Sequence, residues 1–261
     1  MRPANKTRPS AAAIPKRVGL ARALSKLGFC SRSQAFDLIR LGQVTLNGAR
    51  PTNPSTPVRL GVDRIQVDGH RIAAAEKLYL LLNKPRGIVT TASDEKGRDT
   101  VYSLLPKDLP WLAPVGRLDK ASEGLLLLTN DSQWAARITD PATHLDKTYH
   151  AQINVLAAQP LIDSLLRGTE TAKGEILRAK RVGLLRTGAK NSWVELILDE
   201  GKNRQIHRMF EALGIEVLRL IRVAIGPLRL GALPKGEHRS LHPDEKASLD
   251  DILKEASGLK A

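Results

Sequence analysis

The chain is poor in cysteine and aromatic residues, and it has no long apolar run. One cysteine among 261 residues, Cys30, excludes an internal disulfide framework and is typical of a reducing compartment. The longest apolar runs, LYLLL and GLLLL, are much shorter than the roughly 18 residues that a membrane span requires. The N-terminal MRPANKTRPSAAAIPKR lacks the apolar stretch of a secretory signal, and we interpret residues 1–15 as a disordered basic tail. We therefore expect a cytoplasmic protein without a membrane partner.

Metal and nucleotide motifs are also missing. The six histidines and the one cysteine show neither CxxC nor HExxH spacing, so no bound metal is expected. Neither a P-loop nor a GxGxxG after a strand occurs, which argues against an NTPase and against a dinucleotide enzyme. We expect no cofactor.

Positive charge is abundant and unevenly distributed. The chain has 41 Lys and Arg against 27 Asp and Glu, a net charge of +14. Residues 1–75 hold 13 basic and 3 acidic side chains, whereas the remaining residues hold 28 and 24. The excess of positive charge is thus concentrated in residues 1–75, which we call the basic module. Such a module suggests contact with nucleic acid, because neutralising phosphates releases counterions. The alternative is a basic face that only promotes solubility.

The sequence of the basic module predicts two helices followed by short strands. Apolar residues in RVGLARALSKLG have near-helical spacing from Val18 to Leu27, and Gly28 ends the helix. In CSRSQAFDLIRLGQV, Ser31 and Gln34 fit a capping box, and Phe36, Ile39 and Leu41 supply an apolar side. Asn-Gly and Asp-Gly dipeptides at 47–48 and 68–69 predict tight turns beside strands.

The stretch LARALSKLGFCSRSQAFDLIRLGQVTLNG resembles the alpha-L RNA-binding motif shared by a small-subunit ribosomal protein and several RNA-modifying enzymes. The resemblance implies an RNA-binding domain over residues 16–73 that grips structured RNA by its shape and backbone. The residues expected to contact RNA here are Arg17, Arg22, Lys26, Ser31, Arg32, Arg40 and Asn47. A helical hairpin that binds protein is the alternative.

A linker at 74–77 and a second domain at 78–258 follow. Strands are predicted at 78–82, 86–90, 112–115, 124–129, 147–155, 192–198 and 215–223. Helices are predicted at 131–139, 158–167, 203–213 and 243–255. Because strands and helices mix without strict βαβ alternation, the fold class is α+β.

The stretch GRLDKASEGLLLLTND places one carboxylate, Asp119, between Arg117 and Lys120, just before an apolar run. A carboxylate without metal ligands or a serine–histidine pair can act as a nucleophile or as a general base. The neighbouring cations favour its ionised form. A glycosidase would need a second carboxylate, and nothing else supports Glu123 in that role. The alternative is a turn acid that only caps Arg117.

Four blocks after the basic module, VGRLDKASEGLLLLTND, LDKTYHAQI, LDEGKNRQIHRMFEALG and LRLIRVAIGPLRLGALPKGEHRSL, resemble the bacterial ribosomal RNA pseudouridine synthases that carry an alpha-L domain. With NKPRGIVTT they cover most of residues 78–241. The resemblance implies a mixed, mainly antiparallel sheet. It also implies an isomerase that detaches uracil from C1′ of ribose and rejoins it through C5, with Asp119 as the catalytic carboxylate. Whether the acid attacks the sugar or removes a ribose proton stays open.

The resemblance also implies supporting residues. Tyr149 would stack on the flipped base, since a ring replaces the lost base neighbours; the alternative is a core tyrosine. A cation from GKNRQIHRMFEALG would pair with Asp119, with Lys202 preferred and Arg204 in reserve. His207 departs from the basic residue of many relatives.

Further residues are expected to hold the RNA. Arg117 would keep it distorted around the flipped nucleotide, or alternatively make a salt bridge within the fold. Arg204 and Arg208 would contact RNA, although Arg208 could equally lie on a solvated face. Leu220 and Ile221 would form an apolar floor beneath the base, unless they serve only as core.

Two functions remain open on the sequence. The leading interpretation is a monomeric pseudouridine synthase that acts on ribosomal RNA or a ribosomal-subunit precursor. Large-subunit RNA is slightly favoured over small-subunit RNA, and relatives with this layout also act on tRNA. The alternative is a non-catalytic ribosome-assembly or RNA-remodelling factor. A DNA-binding protein is disfavoured, because no helix-turn-helix with a base-reading face is evident.

Overall fold

The protein is described by a computed structural model that covers residues 17–92, 94, 96–256 and 258. The chain divides into two compact units after Ala75. This division lies within the linker that the sequence suggests at 74–77. The basic tail expected at residues 1–15 lies outside the described residues.

The first unit contains two short helices and short strands. In chain order its elements are β1 (Arg17–Gly19), α1 (Leu20–Lys26), α2 (Arg32–Arg40), β2 (Val44–Leu46), β3 (Pro57–Arg59), β4 (Ile65–Val67) and β5 (His70–Arg71). β1 pairs antiparallel with β3, while β2, β4 and β5 form a second antiparallel sheet. Both helices and three of the strands bury a common core around Leu24, Ile39, Val44 and Val58.

The first helix begins later than its apolar spacing predicts. The helix was expected from about Val18, but Arg17–Gly19 pairs with β3 and stays extended. The backbone amides of Leu20 and Ala21 donate to the carbonyls of Thr56 (2.9 Å) and Pro54 (3.0 Å). The start of α1 is therefore satisfied by a distant loop, which helical periodicity cannot reveal.

The second helix begins with the predicted capping box, which is confirmed. The Ser31 hydroxyl accepts from the Gln34 backbone N–H (3.1 Å), and the Gln34 side chain accepts from the Ser31 backbone N–H (2.9 Å). The predicted apolar side is wrong in part. Ile39 is buried, whereas Phe36 and Leu41 are 42% and 74% exposed. The core is too small to cover the wider stripe.

The second unit contains the larger sheet and four helices among its described residues. Its strands are β6 (Tyr79–Lys84), β7 (Ala113–Val115), β8 (Ser122–Thr129), β9 (Lys147–Ile153), β10 (Thr169–Glu170), β11 (Ile176–Leu177), β12 (Arg181–Thr187), β13 (Ser192–Leu198), β14 (Val217–Ile225), β15 (Leu228–Arg229) and β16 (His238–Ser240). Its helices are α3 (Ser132–Thr139), α4 (Gln159–Arg167), α5 (Gln205–Ala212) and α6 (Pro243–Ala256). Two 3₁₀ turns lie at Val101–Leu104 and Pro141–Thr143.

Nine of these strands form one mixed sheet in the order β12-β13-β9-β14-β8-β6-β16, with β15 beside β14 and β7 beside β8. The β8–β14 pair is parallel, and the other described pairs are antiparallel. The expected α+β class and mainly antiparallel sheet are confirmed. β10 and β11 pair separately as a short hairpin.

The apolar run before residue 130 forms a strand that is buried on both faces. All eight residues of β8 are buried. Leu125 and Leu127 pack into a cluster with Trp134 of α3, while Leu126 and Leu128 join a cluster on the opposite face. A third cluster packs α5 against β9, β13 and β14. The site described below therefore rests on a rigid support.

One predicted strand is wrong. Residues 86–90 form a loop, in which Val89 makes only an isolated bridge with Thr100. Gly87, with φ 96°, donates its N–H to the carbonyl of Lys120 (2.8 Å), and the Thr90 hydroxyl donates to the carbonyl of Leu118 (2.8 Å). The loop is thus tied to the segment around Asp119.

Several strands were missed from the sequence. β12 pairs with β13 at the edge of the sheet, and most of its residues are exposed, including Leu184 and Leu185. Its apolar and polar residues do not alternate, so the pattern of a half-buried strand is absent. β10, β11, β15 and β16 are too short to give any periodic signal.

Candidate active site

The backbone around Asp119 is held by a buried lysine. Lys84, the last residue of β6, has no exposed surface. Its Nζ donates to the carbonyls of Pro85 (3.1 Å), Asp119 (3.1 Å) and Ser122 (2.9 Å). All three ammonium hydrogens therefore have acceptors. The turn that carries Asp119 between β7 and β8 is fixed from below.

Burial makes this lysine easier to deprotonate than an exposed one. Desolvation lowers the pKa of Lys84 to about 8, although the negative charges of Asp119 and Glu123 oppose the shift. Glu123 is itself buried, and it pairs with Arg219 (3.0 Å) and Lys235 (2.5 Å). Because its carboxylate is committed to these two cations, Glu123 is not a second acid beside Asp119.

The carboxylate of Asp119 faces Arg204 from the segment before α5. Arg204 Nη1 lies 3.6 Å from Asp119 Oδ2. Arg204 has φ 47°, in the left-handed region that a non-glycine residue seldom adopts, and it is the N-cap of α5. This sharp turn directs its side chain towards Asp119. Both side chains are partly exposed, at 48% and 36%, so solvent can reach the pair.

Lys202 does not occupy the expected place. Its ammonium lies 3.4 Å from a Glu175 carboxylate oxygen and 3.1 Å from one of Glu200, and these partners raise its pKa. The preference for Lys202 over Arg204 as the partner of Asp119 is therefore corrected. Two acidic neighbours hold Lys202 away, and one of them, Glu175, could not be located from local sequence.

A cavity of about 650 Å³ opens beside Asp119. The turn before β8, the strands β9 and β14, and the segment 198–207 contribute most of its wall. Tyr149 and Arg222 are partners in the β9–β14 register, so both point to the same face of the sheet. Leu220, two residues before Arg222, lies on that face as well. The volume is in the range of pockets that bind small molecules or single nucleotides.

Ile221 does not contribute to the cavity as expected. It pairs with His150 in the register and so faces the opposite side of the sheet from Leu220. Successive strand residues alternate between faces, and only one of the two can lie under a ligand. Of the expected apolar floor, Leu220 lines the cavity.

His207 also lines the cavity, near the ion pair. Burial, and then the positive charge of Arg204, lower its pKa, whereas Asp119 and Glu211 oppose the shift. The imidazole is therefore neutral at pH 7. Beside this neutral imidazole, Arg204 is the cation that contacts Asp119.

The other arginines of the motifs lie in different surroundings. Arg117 is exposed and lines the cavity, and no carboxylate of a described residue lies within ion-pair distance. Arg208 pairs with Glu175. Arg208 is thus engaged within the fold, whereas the guanidinium of Arg117 is available to a ligand.

In the first unit, the expected RNA-contact residues divide into two groups. Arg17, Arg22, Arg32 and Arg40 are exposed, and Lys26 is half-buried. Ser31 is buried in its capping box, and the Asn47 side chain accepts from the Arg64 N–H (2.8 Å) and donates to Asp63 (3.3 Å). Both side chains shape the local backbone, and Asn47 is exposed whereas Ser31 is buried. Their contact with RNA stays a prediction.

The sequence analysis did not identify four residues that shape the site: Lys84, Lys147, Arg222 and Gly124. Gly124 has φ 101°, and a Cβ there would lie 2.3 Å from the carbonyl oxygen of Arg222. Only glycine allows β14 to approach β8 at this point, and the approach places Arg222 in the cavity wall. A lysine that ends the apolar run LYLLLNK was the available signal for Lys84.

Among the described residues, no group of three His, Cys, Asp or Glu side chains is arranged to hold a metal ion. In the same part of the chain, no helix is both long and apolar enough to cross a membrane.

Comparison with known protein families gives two matches. Residues 78–212 match the family described as RNA pseudouridylate synthase, and residues 18–63 match the S4 domain. The first match contains Asp119 and Tyr149, together with Arg204. The second covers both helices of the first unit.

Comparison with individual proteins also finds pseudouridine synthases. The chain is 39% identical over 228 residues to the Bacillus subtilis (strain 168) "Ribosomal large subunit pseudouridine synthase B", covering 87% of this chain and 93% of that protein. It is 37% identical over 228 residues to an "Uncharacterized RNA pseudouridine synthase" of Aquifex aeolicus (strain VF5), covering 87% and 91%. A "Crystal structure of pseudouridylate synthase" superposes with a TM-score of 0.63 at 32% identity, covering 89% of this chain and 99% of that one.

Proposed function

Because the chain belongs to the RNA pseudouridylate synthase family, we propose that it converts a uridine of ribosomal RNA into pseudouridine, with Asp119 as the catalytic carboxylate. The observation that carries this proposal is the placement of Asp119. Its carboxylate lies in the cavity wall, 3.6 Å from Arg204, and its backbone is held by the buried Lys84.

The contact with Arg204 orients the Asp119 carboxylate, which both possible roles of the acid require. As a nucleophile, the carboxylate bonds to C1′ of ribose while N1 leaves; as a base, it takes a proton from the ribose. Arg204 offsets the negative charge of the carboxylate and guides its orientation. No cofactor takes part in either route.

Tyr149, Leu220 and Arg117 complete the proposed base pocket. Tyr149 stacks on the flipped uracil, and Leu220 packs beneath the base. Arg117, exposed at the cavity, contacts the flanking phosphates and offsets the energy lost when the nucleotide leaves its stack. Lys202 and Arg208 act through their acidic partners, by shaping the segment that carries Arg204.

The first unit supplies non-specific affinity for structured RNA. Its exposed arginines and Lys26 neutralise phosphates, while Ser31 and Asn47 support the backbone. The partner is ribosomal RNA or a ribosomal-subunit precursor in the cytoplasm, and the enzyme acts as a monomer. Large-subunit RNA is favoured, because the B. subtilis relative carries that activity in its name.

The test is tritium release from transcripts labelled at uridine C5. Full-length large-subunit and small-subunit rRNA are each incubated with wild type, Asp119→Asn and the control Asp108→Asn, whose side chain is exposed in the same unit. We expect release by wild type and Asp108→Asn from the large-subunit transcript, and none by Asp119→Asn at unchanged RNA affinity. Turnover by Asp119→Asn would remove the carboxylate assignment. Tight binding without release from either transcript, from tRNA or from a ribosomal-subunit precursor would favour an assembly factor.

A further inference from the structure

Arg222 is a buried arginine without a carboxylate partner. Its side chain is 6% exposed, its Nε donates to the carbonyl of Leu125 over 2.8 Å, and its Nη2 has no hydrogen-bond partner. No acidic group of a described residue lies within 4 Å of the guanidinium. Arginine remains charged in proteins, and a buried charge is costly unless a partner compensates it. A buried guanidinium that lines the cavity and has an unpartnered N–H group is therefore suited to bind a ligand with acceptor oxygens.

Lys147 adds a second cation to the same wall. It lies two residues before Tyr149 on β9 and lines the cavity with Arg222. Burial, and then the nearby charge of Arg222, lower the pKa of Lys147, while Asp146 and Asp199 oppose the shift. Within the described residues, Lys147 forms no direct ion pair. The fold therefore holds Lys147 and Arg222 in one cavity wall despite the repulsion between their positive charges.

The two cations flank the ring proposed to carry the base. Arg222 is the register partner of Tyr149 on the neighbouring strand, and Lys147 precedes Tyr149 on the same strand face. Leu220 lies beside them. This is the interior of the cavity, whereas the exposed Arg117 offers a contact to backbone phosphates.

The isomerisation creates a negative charge on the base. When the C1′–N1 bond breaks, its electron pair moves to uracil, which leaves as an anion with charge spread over N1, O2 and O4. C5 then attacks C1′, the Asp119 carboxylate is released or returns its ribose proton, and the proton lost from C5 balances the one that N1 gains. Between these steps the base is held by no covalent bond.

We propose that Arg222 and Lys147 form a cationic subsite that stabilises the departing uracil anion and retains it while it turns from N1 to C5. This inference rests on the proposed function. Preorganised donors act strongly on a charge that develops during reaction, and Arg222 is itself buried from water. The unpartnered Nη2 of Arg222 and the ammonium of Lys147 are donors of this kind, and carbonyl oxygens O2 and O4 are matching acceptors.

The test compares uridine with 5-fluorouridine at the modified position of a transcript that wild type converts. Fluorine stabilises the uracil anion, so this substrate depends less on the two cations. Arg222→Gln, the less disruptive Lys147→Met and the exposed control Arg229→Gln are compared in single-turnover reactions. With 5-fluorouridine no C5 proton can be lost, so the C5-linked product keeps its fluorine and adds water across N1 and C6. Digestion to nucleosides and chromatography therefore measure formation of the C5–C1′ bond with both substrates. RNA affinity and thermal unfolding are recorded for each variant.

We expect conversion of uridine to fall on the order of 100-fold in each cavity variant, at unchanged RNA affinity and salt dependence. The loss with 5-fluorouridine should be at least tenfold smaller. Equal losses with both substrates would overturn the inference, as would wild-type rates. Weaker binding with a shallower salt dependence would instead assign the two cations to a phosphate. A wild type that converts no RNA would contradict the proposed function itself.

Discussion

Lys84 Nζ and the backbone carbonyl of Asp119 are 3.1 Å apart, so an ammonium with no exposed surface fixes the backbone of the proposed catalytic acid. The side chain of Asp119 remains free to face Arg204 and the cavity. Lys84 therefore fixes the backbone of Asp119, whereas Arg204 contacts its carboxylate. Precise placement of a reacting group contributes much of an enzyme's rate.

Replacing Lys84 by Met tests this support. The substitution leaves the carbonyls of Pro85, Asp119 and Ser122 without their donor. We expect the free energy of unfolding to fall by about 2–4 kcal/mol at pH 7, because a network of buried hydrogen bonds is lost. Urea denaturation measures the change. Wild-type stability in this variant would show that the carbonyls find other donors.

The pH dependence of stability gives a second test of Lys84. Its pKa is lowered to about 8, so between this value and the ordinary lysine value of about 10.4 the unfolded chain binds more protons than the folded chain. Folding is then favoured as pH rises across that window. Relative to Lys84→Met, wild type should gain roughly 1–2 kcal/mol between pH 7.5 and 9.5. A flat difference would mean that the pKa is not lowered.

Arg204→Gln and Lys202→Gln form a matched pair of neutralising substitutions. Arg204 contacts Asp119, whereas Lys202 contacts Glu175 and Glu200. We expect Arg204→Gln to lower kcat on the order of 100-fold and Lys202→Gln by less than about tenfold. Single-turnover tritium release compares them. The reverse order would restore Lys202 as the partner of Asp119 in the RNA-bound enzyme.

Gly124→Ala tests the close approach of the two parallel strands. Its Cβ would meet the carbonyl oxygen of Arg222 at 2.3 Å, in a backbone conformation with φ 101°. We expect a loss of more than about 3 kcal/mol of stability or failure to fold. The control Gly183→Ala has nothing within 4 Å of its Cβ and should change stability by less than about 1 kcal/mol. Similar unfolding midpoints for both variants would contradict the steric argument.

The exposed arginines of the first unit should set the salt dependence of RNA binding. Substituting Arg22, Arg32 and Arg40 together by Gln removes three charges that no described carboxylate pairs with. Each lost phosphate contact reduces the slope of log K against log salt by about 0.7–0.9. Filter binding from 50 to 300 mM salt measures the slope. An unchanged slope would place the phosphate contacts on the second unit.

Features with local causes were predictable from the sequence. The capping box at Ser31 and Gln34 was found because both partners lie within one turn. The buried strand β8 followed from its unbroken apolar run, and the helices of the second unit followed from their spacing. The motif around Asp119 directed attention to the right turn before any neighbour of that turn was known.

Features that depend on pairing between distant segments were not predictable. The choice of Arg204 over Lys202 depends on one left-handed residue and on two glutamates, one of them 27 positions earlier in the chain than Lys202. The choice of Leu220 over Ile221 depends on which face of β14 meets the cavity. The sequence VLRLIRVAI places apolar residues on both faces of the strand, so it does not distinguish them. The position of Arg222 in the cavity wall depends on the register of β14 with β8 and β9, which the sequence does not show.

The position of β14 in the sheet has a consequence for the timing of synthesis. β14 (Val217–Ile225) separates β9 from β8 and is hydrogen-bonded to both, yet six of the other eight strands of the described sheet precede it in the chain. Until the ribosome has released residue 225, the β12-β13-β9 portion and the β8-β6 portion have no strand to join them. Before that point, Asp119 beside β8 and Tyr149 on β9 belong to parts of the sheet that are not yet hydrogen-bonded to each other. We therefore expect the active site to form only when synthesis is almost complete.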